Sequence, residues 1–335
     1  MENSQMKHSF VTPIIVKIAK KLGVEIHVEP KYGYAAQIIL PDGHVRYFQN
    51  TNFDLNTLGA SEIAKDKAYA AYFMKRLGYP VPNGKSFFTV KWAKTINSNN
   101  DPNAAYQYAR SLGFPVIVKP NSKSQGSGVA KVFNKKEFMQ AVNILSWNER
   151  VFLVQQVVIG NDYRIVVIDE QVISAYQRLP LSVIGDGHSS VRQLLLKKQA
   201  DFERIGRDTK IPIDDFRIKL RLKRLKKSEQ SVLSKNEHLK LLVNANLSTG
   251  GDAVDATQEI HLEWKNLAIR LTKDMNLRYC GVDVIINGTL REPPKKFVVL
   301  EVNAAPGLDN YSSVGSKQHH IVENMYEKVL KAMLL

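Results

Sequence analysis

Two apolar runs near the C-terminal end, 282–287 and 297–303, carry polar residues where a buried strand would have none, and they constrain the fold more than any other feature. The first holds Asp283; the second holds Glu301 and Asn303. Strand alternation puts Glu301 and Asn303 on one face, and an antiparallel return brings Asp283 opposite them. Two carboxylates and an amide oxygen then converge. Hard ligands of this kind suit Mg²⁺ when phosphate oxygens complete the shell. The competing reading is a polar strand end beside a surface turn.

A chain of 335 residues has room for two or three closely packed subdomains. It contains no apolar run approaching a membrane span, and its polar start, with Glu2, does not resemble a secretory signal. The expectation is a soluble cytoplasmic protein with no membrane partner. Cys280 is the only cysteine, which excludes an intrachain disulfide and a cysteine-based metal cluster. Its apolar surroundings predict a buried packing thiol rather than a nucleophile. The formal charge of +15 suits an anionic partner, and much of it lies in 204–227, including the run 221–227. No zinc-finger spacing or aromatic RNA-binding motif accompanies that segment, so nucleic acid is not the expected partner. A solvated, mobile basic loop and a surface for ATP or an acidic substrate both fit it.

Along the chain, residues 11–60 predict one short helix near 13–22 and β-like pieces near 35–40 and 45–49. A helix over 61–77 ends at Gly78, and Pro80 and Pro82 make an extended connector. Asp101 and Pro102 start another helix, closed by Gly113, and a strand follows over 114–119. Asn134 and Glu137 match a capping box. Strands at 152–158, 163–168 and 171–178, with a turn at Asp169 and Glu170, signal antiparallel sheet. The last helix read from periodicity spans 262–275. The resulting division is a small leading unit over 1–60, a central unit over 61–158 and a C-terminal unit over 159–335 that carries the basic loop and the metal candidates.

Lys119 ends a strand and precedes Asn121, Ser122, Lys123, Ser124, Gln125, Gly126, Ser127 and Gly128. Small residues let backbone amides approach phosphate oxygens while the lysine supplies charge. The lysine precedes the glycines, so this is not a Walker sequence, and a surface turn is the alternative.

The order of these motifs resembles the ATP-grasp family through about residues 61–313. The resemblance implies an α/β fold, built of α+β subdomains, with nucleotide held between two lobes. It implies that Lys67 and Lys119 contact the nucleotide, that 122–128 forms a phosphate lid, with Ser122, Gly126, Ser127 and Gly128 in it, and that Gln155, Gln156 and Val158 line an adenine hinge. Asp162 would take the ribose position, and Asp283, Glu301 and Asn303 would hold Mg²⁺, with two ions expected and Mn²⁺ as an alternative. The similarity is nearer to the ligase domain of bifunctional glutathione synthases and to cyanophycin synthetases. It rests on 162–164, on Gly185-Asp186-Gly187-His188, on 246–251 followed by Asp255, Thr257 and His261, on 280–283 and on 301–307. The glutamate–cysteine ligase domain of the former and the Mur-ligase-like domain of the latter are not expected within these residues.

The implied chemistry is ATP-dependent activation of a carboxylate to an acyl phosphate, then attack by an amine, with ADP and phosphate released. Amino acids or peptides are the expected substrates, and a homodimer is compatible with this. Arg178 and Arg164 face the cleft, where a guanidinium fork suits phosphate or carboxylate; a structural ion pair is the alternative. Asn246 is placed to bridge a phosphate oxygen and metal-bound water. His188 and His261 are read as structural before catalytic. Two other readings stand beside the ligase: glycine addition to γ-glutamylcysteine, and a non-catalytic nucleotide- or nucleic-acid-binding protein with a degenerate fold.

Overall fold

The computed structural model describes residues 9–122, 128–207, 209–313 and 315–334. Helix α1 (Val11–Leu22) buries Ile14, Ile15, Ile18 and Ala19 along one face, and Gly23 ends it at φ +68°. An antiparallel meander follows: β1 (Glu25–Val28), β2 (Ala35–Ile39), β3 (Val45–Gln49) and β4 (Asn52–Phe53). β1 and β4 are too short for alternation to reveal.

The single helix expected over 61–77 is two helices, α2 (Leu58–Lys65) and α3 (Lys67–Arg76). Asp66 breaks them with an extended backbone, and its side chain accepts from the N–H groups of Ala68 and Tyr69. Asn121 locks the break, donating to Asp66 Oδ2 at 2.6 Å and accepting from the Ala68 N–H at 3.1 Å. Lys67 therefore sits at the first turn of a helix and not within one. Apolar spacing runs unbroken across such a corner, so periodicity alone cannot show it.

Ala64, Ala70 and Met74 of α2 and α3 pack with Tyr163, Ile165 and Val302, and the central unit with its own core comprises β5 (Gly84–Phe88), α4 (Val90–Thr95), α5 (Pro102–Leu112), β6 (Val116–Pro120), β7 (Ala130–Val132), α6 (Lys135–Leu145) and β8 (Val151–Gln156). Its strands pair antiparallel in the order β5-β8-β6-β7. α5 and α6 close its core around Phe87, Val116, Val118, Phe138 and Phe152. Asp101 and Asn134 cap these two helices as the sequence predicts, but the expected box with Glu137 does not close, since Glu137 Oε2 accepts from the Phe133 N–H at 2.9 Å instead of from Asn134.

The C-terminal unit starts with β9 (Asn161–Ile168), β10 (Gln171–Leu179) and β11 (Ser182–Ile184), then α7 (Val191–Arg204), α8 (Phe216–Arg224) and β12 (His238–Lys240). It ends with β13 (Asp252–Asp255), α9 (Leu262–Asp274), β14 (Tyr279–Ile286), β15 (Phe297–Asn303), α10 (Asp309–Ser312) and α11 (Ser316–Met333). Five of these strands form an antiparallel sheet in the order β13-β10-β9-β14-β15. The basic stretch expected as a mobile loop is built around α8, whose Ile218 and Leu222 are buried against Leu181, Leu195 and Leu239. Dense charge between the apolar positions disguised that helix. α11 lies beyond the last helix read from the sequence. It packs on α1 around Ile15, Val322 and Tyr326, and Lys17–Glu323 at 2.9 Å and Lys21–Glu327 at 3.1 Å bridge the two. Among the described residues no helix is long and apolar enough to cross a membrane.

Candidate active site

The five-stranded sheet sets the site by register. Asp283 of β14 lies opposite Arg164 of β9 on one side and Glu301 of β15 on the other. Arg178 of β10 lies opposite Asp162, and Asn303 opposite Gly281. Directly paired residues share a face, so the carboxylates and guanidinium groups are drawn together.

Asp283 is fully buried. Arg164 grips it with two hydrogen bonds, Nε to Oδ1 at 2.6 Å and Nη2 to Oδ2 at 2.7 Å, and Arg178 Nη1 lies 2.9 Å from Oδ2. Arg178 also donates to Asp162 Oδ1 through Nε at 2.8 Å and Nη2 at 2.6 Å. Burial, opposed by Arg178 and reinforced by Asp283, pushes the Asp162 carboxyl up. Gly281 gives Arg164 its path: a Cβ there would stand 3.5 Å from Arg164 Nε and 2.9 Å from Pro306 Cβ. Cys280 is buried as expected, and burial pushes its thiol up to about 12.

Lys119, at the end of β6, is 5% exposed. Burial, partly opposed by Glu301 and reinforced by Lys67, pulls its ammonium down to about 8. Burial would raise Glu301, but Lys67, Lys119, Arg178 and Arg164 override it and hold the carboxyl at about 2. Lys67 Nζ lies 3.7 Å from Glu301 Oε2. Asn303 Nδ2 is 3.4 Å from Asp283 Oδ2.

Two cavities meet here. One, of about 420 Å³, lies between the β5-β8-β6-β7 sheet and the five-stranded sheet and is lined by Ile117, Lys119, Gln155, Gln156, Val158, Asp162, Ile285 and Leu300. The other, of about 1120 Å³, is walled by Thr51 and Asn52 of the leading unit, by Ser122, Arg164, Tyr176, Asn303 and Pro306, and by Tyr311 and Ser312 of α10. Lys67, Arg178, Asn246 and Glu301 line both.

Gln156 has already given its N–H to the Asn83 carbonyl at 2.9 Å. Gly128 takes φ +73°, and a Cβ there would press on Leu145 and Pro120. Gly126 and Ser127 lie outside the described residues. His188 is exposed, 3.4 Å from Asp186, and His261 accepts from the Glu263 N–H as a helix cap. Sequence reasoning missed Arg207. Buried within the basic segment, it donates to the carbonyls of Leu247 and Gly251, both at 2.6 Å, and so shapes the turn that Asn246 opens. Nothing in its local spacing separates it from its solvated neighbours.

Asp66→Ala removes the cap that aims Lys67. The loss is expected to cost about 1 kcal/mol of stability and to weaken nucleotide binding severalfold. Urea denaturation and calorimetric titration with ATP check both; binding unchanged would mean that Lys67 does not depend on this corner.

This architecture is the ATP-grasp fold. The D-ala D-ala ligase C-terminus family matches residues 73–184, and the RimK-like ATP-grasp domain matches 242–325. The chain is 33% identical to cyanophycin synthetase of Nostoc sp. over 318 residues, which covers 88% of this chain and 32% of that protein. It is 29% identical to the glutathione biosynthesis bifunctional protein of Mannheimia succiniciproducens over 276 residues, 78% of this chain and 35% of that protein. It thus spans about a third of the length of these curated relatives. The crystal structure of a bifunctional glutathione synthetase from Pasteurella multocida superposes with a TM-score of 0.57 at 23% identity, over 96% of this chain and 44% of that one. The D-alanine–D-alanine ligase of Bacillus anthracis superposes with a TM-score of 0.51 at 13% identity, over 83% and 70%. Sequence and fold agree: the chain has the ATP-grasp fold and carries matches to two ATP-grasp ligase families.

Proposed function

We propose that the chain is an ATP-dependent carboxylate–amine ligase that forms an amino-acid or peptide amide bond through an acyl phosphate and releases ADP and phosphate. The observation that carries this reading is the wall shared by the two cavities. A phosphoryl donor in the smaller and an acceptor in the larger would meet at Lys67, Arg178, Asn246 and Glu301. Relatives named for cyanophycin synthesis and glutathione biosynthesis support the reaction class.

In this reading Lys119 and Lys67 hold the nucleotide phosphates, and Gln155, Gln156 and Val158 pack the base. Asp162 faces the ribose and fixes Arg178. Arg178 neutralises charge on the oxygens of the carboxyl phosphate, while Arg164 holds Asp283. Mg²⁺ fits this donor set in part: Glu301 lines both cavities and Asn303 the larger one, and they would hold the ion while it screens phosphate charge, whereas Asp283 is buried with both oxygens held by Arg164 and Arg178 and would contribute only if that grip were released. The larger cavity, built partly from the leading unit and α10, accommodates the carboxylate and amine substrates.

A screen of amino-acid and peptide pairs with mass detection identifies the substrates. With ¹⁸O in the acceptor carboxylate, the oxygen that attacks the γ-phosphorus leaves in phosphate when the amine displaces it. Label is therefore expected in released phosphate. AMP as the coupled product, or unlabelled phosphate during confirmed amide synthesis, would reject the acyl phosphate.

A further inference from the structure

The smaller cavity carries a second group of cations that the roles above leave unused. α8 lies between residues 184 and 242, a stretch that neither family match reaches. It brings Arg221 and Arg224 to the cavity wall beside Lys131 of β7 and Lys240 of β12. Arg224 is committed elsewhere, 2.6 Å from Glu137 Oε2 and 4.0 Å over the Phe133 ring. The ion pairs of this region join Arg217 to Asp215, Arg224 to Glu137 and Lys227 to Glu237. They leave Lys131, Arg221 and Lys240 without a carboxylate partner among the described residues.

Such crowding opposes folding unless an anion relieves it, because like charges repel more strongly where water is partly excluded. Burial disfavours the Lys131 ammonium, and Arg221 and Arg224 disfavour it further. The scaffold nevertheless holds them in place. Ile218 and Leu222 anchor α8 in its core, Arg217 Nη1 donates to the Val129 carbonyl at 3.1 Å, and Arg221 Nε donates to the Lys240 carbonyl at 3.4 Å. Lys131 stands opposite Ile117 on β6, which is paired with Gln155, two residues before Lys119. The cluster thus adjoins the proposed nucleotide site.

We propose that Lys131 and Arg221, joined across two subdomains by α8, form an additional phosphate-binding pair for the nucleotide. The proposal rests on the ligase reading. Phosphate is the favoured ligand because neither side chain has an internal counter-charge among the described residues and both line the cavity that holds Lys119.

The test is calorimetric titration of the full chain with ATP, ADP, adenosine and inorganic phosphate. Arg221→Gln and Lys131→Met are each expected to weaken ATP about tenfold and ADP by a similar factor, and to leave adenosine unchanged. Lys223→Gln, on the exposed side of α8, is expected to bind like the parent. Ligand-free Tm of both variants is expected to equal or exceed that of the parent, since repulsion is relieved; a purely structural role would lower it. Lys131→Met guards against loss of the Arg221–Lys240 bond, since among the described residues the Lys131 ammonium makes only a ring contact with Phe133, at 5.4 Å. Equal losses for adenosine and ATP, or undiminished ATP binding in both variants, would overturn the pair while leaving the ligase reading intact. Saturable binding of inorganic phosphate lost in the variants, with ATP unchanged, would assign the pair to free phosphate and also overturn it. A parent that binds no ATP removes the ligase reading and this pair with it.

Discussion

Glu301→Gln is expected to lower turnover by about two to three orders of magnitude while the fold survives. The substitution keeps the shape and removes one charge. That charge faces Lys67 at 3.7 Å and, held at about 2, is fully ionised throughout the working range. Glutamine would leave Lys67 and Lys119 facing each other with less compensation, and it would offer any magnesium ion a neutral oxygen in place of a carboxylate. The substitution also changes the acid limb of stability. A carboxyl whose folded value lies below its ordinary one adds stability that is complete above the ordinary range and is lost as pH falls towards 2. The variant should lack that contribution, so its stability curve should fall less steeply below about pH 4.5. ADP release with an identified substrate pair, titrated with MgCl₂, measures the catalytic loss. Parent-like turnover and parent-like magnesium dependence in the variant would sink the assignment.

Much of this site was legible because strands expose it by alternation and pairing. Asp283 faces Glu301 across β14 and β15, the arrangement that two short polar-bearing runs foretell. Arg164 and Arg178 were legible for the same reason, being two rungs of one antiparallel hairpin. What alternation does not encode is commitment. Both oxygens of Asp283 are engaged by arginines, and Asp162 is tied to Arg178, facts that depend on how two hairpins twist together. Lys67 was placed within a helix because the corner at Asp66 is held by Asn121, fifty-five residues away, and no local pattern carries that bond. The basic segment misled for a different reason. Charge density masked the buried pair Ile218 and Leu222, so a helix on the wall of the smaller cavity read as a solvated loop. α11 went unread although its buried positions recur at helical spacing, and its partner α1 lies at the other end of the sequence.

Lys119→Met is expected to abolish most turnover, by about two to three orders of magnitude, and to remove a pH signature of nucleotide binding. In the ligand-free protein the ammonium is held at about 8, below its ordinary 10.5. A lysine depressed in this way costs the folded state its full penalty below about pH 8. That cost is relieved as pH rises further, because the folded chain releases the proton before the unfolded one does. Phosphate oxygens act in the opposite direction and favour the charged ammonium. ATP binding to the parent is therefore expected to take up a proton near pH 8.5 and to weaken as pH rises above 8. Calorimetry in two buffers of different ionisation enthalpy measures that uptake directly. The methionine variant should bind ATP more weakly and take up fewer protons, with circular dichroism unchanged, since unbranched methionine fits a buried position and carries no charge to desolvate. Retention of both the affinity and the proton uptake in Lys119→Met would show that another group meets the phosphates. The proposed placement of the nucleotide phosphates beside Lys119 in the smaller cavity would then have to be given up.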